Sequence, residues 1–208
     1  MEPVAEAVTA ERALRADAQR NLELILEAAA AEFAEHGLEV CVADIAQRAG
    51  VGQATIFRRF QTKEDLIVAV AERKLNQMYG TAQEAAGRKR AWDGLRDLMQ
   101  SAVQMHLADR GLSEAIHERL VADPRLVAKK AELMTIFSAI VERAKAEGDL
   151  RHDVSAKDFP MMIAAAAQAG SMAGDEDPDL WRRYLQIMLD GLRTDGERGR
   201  LKAGSKLR

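Results

Sequence analysis

The chain of 208 residues holds a single cysteine, Cys41. One thiol closes no intrachain disulfide and cannot build a cysteine-rich zinc site, and it fits a reducing, cytoplasmic compartment. Aromatic residues make up 4% of the chain, too few for the stacking platform that single-stranded nucleic acid requires. The longest apolar stretch lies near Met161–Ala167. That is far short of the roughly 20 residues of a membrane span, so no membrane partner is expected. Met1 to Ala16 is rich in alanine and glutamate without an apolar run, which excludes a secretory signal. The enzyme signatures are missing too. There is no phosphate-cradling glycine loop, no nucleophile elbow and no His–Glu pair at metal spacing. His36, His106, His117 and His152 do not share ligand spacing. No enzyme activity, cofactor or metal site is expected.

Hydrophobic residues at 48% and charged residues at 30% describe an ordinary globular protein, long enough to bury a core without staples. Apolar residues recur at helical spacing almost throughout, and strand-like alternation is absent, so the fold class is all-α. Leu22, Ile25, Leu26, Ala29 and Phe33 form one face of a helix over about 17–36, which Gly37 ends. Short helices are expected over 42–49 and 53–60, separated by Gly50-Val51-Gly52. Thr62 and Asp65 make a capping box that opens a long helix over 63–86. Later helices begin near Ala91, at Asp123-Pro124, after a second capping box at Ser155/Asp158, and at Asp177-Pro178. A run of small residues (Ala164 to Ala167, Ala169, Gly170, Ala173) with Leu185, Met188, Leu189 and Leu192 suggests a four-helix dimer interface.

The stretch from Val42 to Leu66 carries the functional signal. Two short helices joined by a glycine-containing turn are the helix-turn-helix plan. Ala46 is small where the second helix must come close. Gly50 accepts the turn conformation, and Val51 and Ile56 supply the apolar contacts between the helices. The second helix then projects Gln53, Thr55, Phe57 and Arg58 toward a groove wide enough to admit it. Although the net charge is −3, a nucleic-acid footprint needs only a local cluster. Arg58, Arg59 and Lys63 supply one, with the backbone N–H groups after Thr62 as a phosphate site.

The segment Ile45-Ala46-x-x-Ala49-Gly50-Val51-Gly52-Gln53-Ala54-Thr55-Ile56-Phe57-Arg58-Arg59-Phe60-x-Thr62-Lys63-Glu64-Asp65-Leu66 resembles the DNA-binding domain of the TetR family of transcriptional regulators, as does the preceding Glu35-His36-Gly37. The resemblance covers about residues 17–75. It implies that Gln53 and Thr55 read base edges and that Lys63 clamps a phosphate at the next helix start. Phe57 falls at a tyrosine position whose hydroxyl usually touches a phosphate, a bond that phenylalanine lacks. Arg59 falls at a common histidine position that meets the backbone. Gly52, Ala54 and Cys41 depart from the usual serine, glycine and threonine or serine. From Trp92 to Leu192 the chain resembles the C-terminal domains grouped with the regulator SbtR.

Together these observations predict a flexible N-terminal arm over 1–16 and a three-helix helix-turn-helix domain over 17–65. A helical ligand-binding and dimerisation domain follows over 66–192, then a basic disordered tail over 193–208. The resemblance implies a homodimer on palindromic double-stranded DNA, released by a small-molecule effector. Met99, Met105, His106, Met134 and Phe137 are the candidate pocket residues. An architectural DNA-binding protein of the same fold, with no effector, is the alternative.

Overall fold

The computed structural model describes residues 2–108 and 123–194, with side chains described from residue 16 onward except at Asp175. Its α-helices are α1 (Glu2–His36), α2 (Val42–Ala49), α3 (Gln53–Arg59), α4 (Lys63–Ala86), α5 (Ala91–Ala108), α6 (Pro124–Ala146), α7 (Phe159–Ala173) and α8 (Leu180–Leu192). A 3₁₀ turn over Gly174–Glu176 precedes α8. Among the described residues there is no strand, only an isolated antiparallel bridge between Leu150 and Arg193.

Three element boundaries differ from expectation. Helix α1 begins at Glu2, so the stretch expected as a flexible arm is helical. Alanine and glutamate are strong helix formers, and Pro3 falls in the first turn, where its missing N–H costs nothing. Asp177-Pro178 does not start α8. The Leu180 N–H donates to the Asp177 carbonyl in a turn, and the helix begins at Leu180. The Ser155/Asp158 box forms, with the Ser155 N–H donating to Asp158 Oδ2 at 2.7 Å, but it closes a turn that ends where α7 starts. The expected tail lies outside the described residues beyond Thr194. Its first two residues are tied down, because the Arg193 guanidinium sits 5.0 Å from the Trp92 ring centre and Thr194 Oγ1 donates to the Gly148 carbonyl at 2.6 Å.

The chain divides into two compact units, Met1–Lys74 with Asp109–Leu126 and Leu75–Ala108 with Val127–Arg208. The division falls within α4, between Lys74 and Leu75, and within α6, between Leu126 and Val127. In the first unit α1 packs on α2 and α2 on α3. Ile25, Ala29 and Phe33 of α1, Ile45 and Ala46 of α2, Ile56 of α3 and Leu66 of α4 are buried there. Helical spacing placed Ile25, Ala29 and Phe33 on one face, as found, while Leu22 of the same expected face is half-buried. The Gly37 N–H donates to the Phe33 carbonyl at 3.0 Å with φ at +73°, the left-handed stop that a glycine takes without strain.

In the second unit α7 packs against both α5 and α8. The packing is close. A Cβ on Gly94 of α5 would lie 2.2 Å from the Ala85 carbonyl oxygen, and one on Gly170 of α7 would lie 3.1 Å from the Trp181 Cβ. Phe137 and Phe159 meet edge to face at 5.1 Å. Ala166, Ala167 and Gly170 are buried within this unit, as are Leu185, Leu189 and Leu192. Much of the small-residue run is thus used inside the subunit. The large apolar side chains left exposed on these two helices are Met161, Met172, Tyr184 and Ile187.

Candidate nucleic-acid interface

The interface is set by how α2 ends. Gly50 adopts φ +68°, its N–H donates to the Gln47 carbonyl, and the Val51 N–H donates to the Ala46 carbonyl. This left-handed cap turns the chain sharply enough for α3 to begin at Gln53. Cys41 caps the other end of α2 poorly. Its thiol makes no bond to the helix N–H groups and instead donates to Asp44 Oδ2 at 2.8 Å. Helix α3 is held by Ile56, 1% exposed, and by Phe60 just beyond it, 8% exposed. With those two inward, Gln53, Ala54, Phe57, Arg58 and Arg59 are exposed and Thr55 is half-buried.

The start of α4 is fixed by the expected capping box. The Asp65 N–H donates to Thr62 Oγ1 at 3.1 Å, and the Thr62 N–H donates to Asp65 Oδ2 at 3.0 Å. The box uses the N–H groups of Thr62 and Asp65 and fixes the positive end of α4 beside Lys63.

Charge pairing separates one group of cations from the rest. Arg48 bridges α2 to α1, at 2.6 Å from Glu35 Oε1 and 3.0 Å from Glu32 Oε1. The Arg48 guanidinium holds Glu35 below the usual carboxylate range, and both carboxylates keep Arg48 charged. Arg73 pairs with Glu23, Arg20 with Asp17 and Arg125 with Asp123. Arg125 lowers the Asp123 carboxyl to about 2 through its guanidinium and its N–H. By contrast, Arg58, Arg59 and Lys63 make no ion pair or hydrogen bond among the described residues. Six expected contact residues therefore fall on α3 and the start of α4, and the three cations among them are unneutralised. Sequence reasoning did not anticipate the part of Arg48, which ties α2 to Glu32 and Glu35 of α1.

The candidate effector residues are placed differently. Met99 is fully buried and Phe137 is buried against Phe159, while Met105, His106 and Met134 are half-buried. A cleft of about 570 Å³ in the first unit, lined by Glu32, His36, Glu39, Val40, Asp44, Gln47 and Arg48, contains none of them and is charged and open. His117 lies outside the described residues. No helix is long and apolar enough to cross a membrane, among the described residues.

A short helix stapled outward by a glycine-capped turn, flanked by free cations and a capped helix start, defines a helix-turn-helix DNA-binding protein. Residues 25–70 match the family model for bacterial regulatory proteins of the tetR family, and residues 90–194 match the model for the SbtR-like transcriptional regulator C-terminal domain. The chain belongs to the TetR family and is a DNA-binding transcriptional regulator. It is 26% identical over 189 residues to the HTH-type transcriptional repressor KstR2 of Rhodococcus jostii, an alignment covering 83% of this chain and 91% of that one. Among solved structures it resembles a TetR transcription regulatory protein from Mycobacterium vanbaalenii, with TM-score 0.66, 30% identity and coverage of 87% and 99% of the two chains. The fold is shared with FadR from Bacillus subtilis, solved in complex with stearoyl-CoA, with TM-score 0.61, 21% identity and coverage of 82% and 99%.

Proposed function

We propose that the protein is a cytoplasmic, ligand-responsive repressor that binds a palindromic operator as a homodimer, and that it is not an enzyme. The observation that carries the DNA contact is the free charge of Arg58, Arg59 and Lys63 beside an outward α3. Gln53 and Thr55 read base edges in the major groove. Arg58, Arg59 and Lys63, with the α4 N–H groups, hold phosphates and fix the register. Two copies related by a two-fold axis place their α3 helices about one DNA turn apart, which is why the operator is a palindrome. The similarity to the repressor KstR2 supports repression.

The second unit is the effector domain in this reading. A protein of this fold holds stearoyl-CoA, which supports a ligand site among its helices. Met99, Met105, His106, Met134 and Phe137 are proposed to line it, methionine being the side chain that adapts to irregular apolar ligands. The ligand lowers DNA affinity only if it binds the DNA-free state more tightly.

The test is selection of genomic fragments by the purified full chain at near-physiological salt. A palindromic site enriched over background is the expected result. Unselective, strongly salt-dependent retention would replace this reading with an architectural one, and absence of retention would overturn DNA binding by the chain as it stands.

A further inference from the structure

Phe57 is the anomaly on α3. It is 48% exposed in a helix whose other exposed positions are Gln53, Ala54, Arg58 and Arg59. The ring cannot turn inward, because Ile56 and Phe60 already occupy the core side. It has no donor, so a phosphate offers it nothing. It lies four residues after Gln53, on the same side of the helix. A large apolar side chain held out among unneutralised cations needs an apolar partner that carries negative charge close by. The edges of B-form base pairs offer one apolar group in the major groove, the C5-methyl of thymine. The backbone phosphates that border the groove supply the negative charge, for which Arg58 and Arg59 are available.

We propose that Phe57 determines specificity by packing its ring on the methyl group of a thymine at, or next to, the base pair read by Gln53. The proposal rests on the operator-binding reading above. A glutamine bonds adenine through two adjacent groups, so Gln53 and Phe57 together select A·T at the same or at adjoining base pairs in each half-site.

The experiment replaces each operator thymine in turn by deoxyuridine, which deletes the methyl and leaves every hydrogen-bonding group in place. Affinities are measured with the full-length protein. One methylene-sized apolar contact corresponds to a change of about fourfold. The wild type is expected to lose about that factor at one thymine per half-site and to be indifferent elsewhere. Phe57→Ala should bind the thymine and uracil sites equally, whereas Phe57→Tyr, which keeps the ring, should retain the preference. Phe57→Gln serves as a second ringless variant should Phe57→Ala lose its helical circular dichroism. Indifference of the wild type to every uracil, or an unchanged thymine preference in the ringless variants, would overturn the inference. A selected operator without methyl dependence defeats this inference alone. Failure of the wild type to select any site defeats the operator-binding reading and this one together.

Discussion

Arg58, Arg59 and Lys63 are not neutralised by a carboxylate, unlike Arg20, Arg48, Arg73 and Arg125 of the first unit. Removing one should cost affinity for every DNA sequence alike. Arg58→Ala and Lys63→Ala are each expected to reduce the slope of log affinity against log salt by about 0.9 per lost phosphate contact in each half-site. A titration from low to moderate salt reads this, and a variant that changed base preference with the slope intact would not be a phosphate contact. Gln53→Ala should behave in the opposite way, relaxing preference at one position per half-site by about 1–3 kcal/mol. An unchanged sequence logo for that variant would remove Gln53 from the base-reading set. Asp123 carries a pH signature. Its carboxyl stands at about 2 in the folded chain beside Arg125, against about 3.9 when unfolded. A lowered folded value means that the contribution is complete above the unfolded value and is lost as pH falls from about 4 toward 2. Asp123→Asn should therefore shrink the gap in melting temperature between pH 5 and pH 2, and equal slopes for both proteins would refute the assignment.

At the scale of elements, the two boundaries that aim α3 are separable by mutation. Thr62→Ala removes one half of the capping box and should lower stability by about 1 kcal/mol in urea titrations. Gly50→Ala forces a Cβ into φ +68°, costing on the order of 1–2 kcal/mol, and should weaken operator binding beyond what the stability loss explains, because the angle of α3 depends on that turn. The same features explain what the sequence could and could not say. The limits of α2 and α4 were legible because a glycine in a left-handed cap and a Thr–Asp box stand at those boundaries. The start of α1 was not, since an alanine- and glutamate-rich stretch contains no stop signal. Asp177-Pro178 carried the marks of a helix start but serves a turn two residues earlier, as local signals do when tertiary packing places the helix. On α3 the exposure of Gln53, Phe57 and Arg58 was legible, whereas Thr55, also expected outward, is half-buried and Ala54 is exposed in its place. That Arg48 is spent on Glu32 and Glu35 while Arg58 is free depends on α1 lying alongside α2, a long-range fact that spacing within the motif does not contain.

For the whole molecule, the proposed homodimer needs a surface through which two copies meet. The small residues of α7 suggested a close helix contact between subunits, yet Ala166, Ala167 and Gly170 are already buried, with Gly170 set against Trp181 and Leu107 of the same unit. What remains outward is a stripe of Met161, Ala165 and Met172 on α7 and one of Tyr184, Ile187 and Gly191 on α8. Met172 is 79% exposed and Ile187 is 56% exposed, values that a lone subunit does not usually keep on neighbouring helices. A stable pair of subunits buries about 800 Å² on each, and this face is the proposed source of that area. Ile187→Arg places a charge on it without touching the buried stripe of Trp181, Leu185 and Leu189. The variant is expected to keep its helical signal and melting cooperativity but to sediment as a monomer. Because linking two half-site contacts multiplies affinity by 10²–10⁴, its binding to the intact palindrome should fall by on the order of a hundredfold or more, toward that for a single half-site. The palindrome would then offer the variant two independent sites of equal strength. A folded variant that still sedimented as a dimer would show that the subunits meet through some other surface.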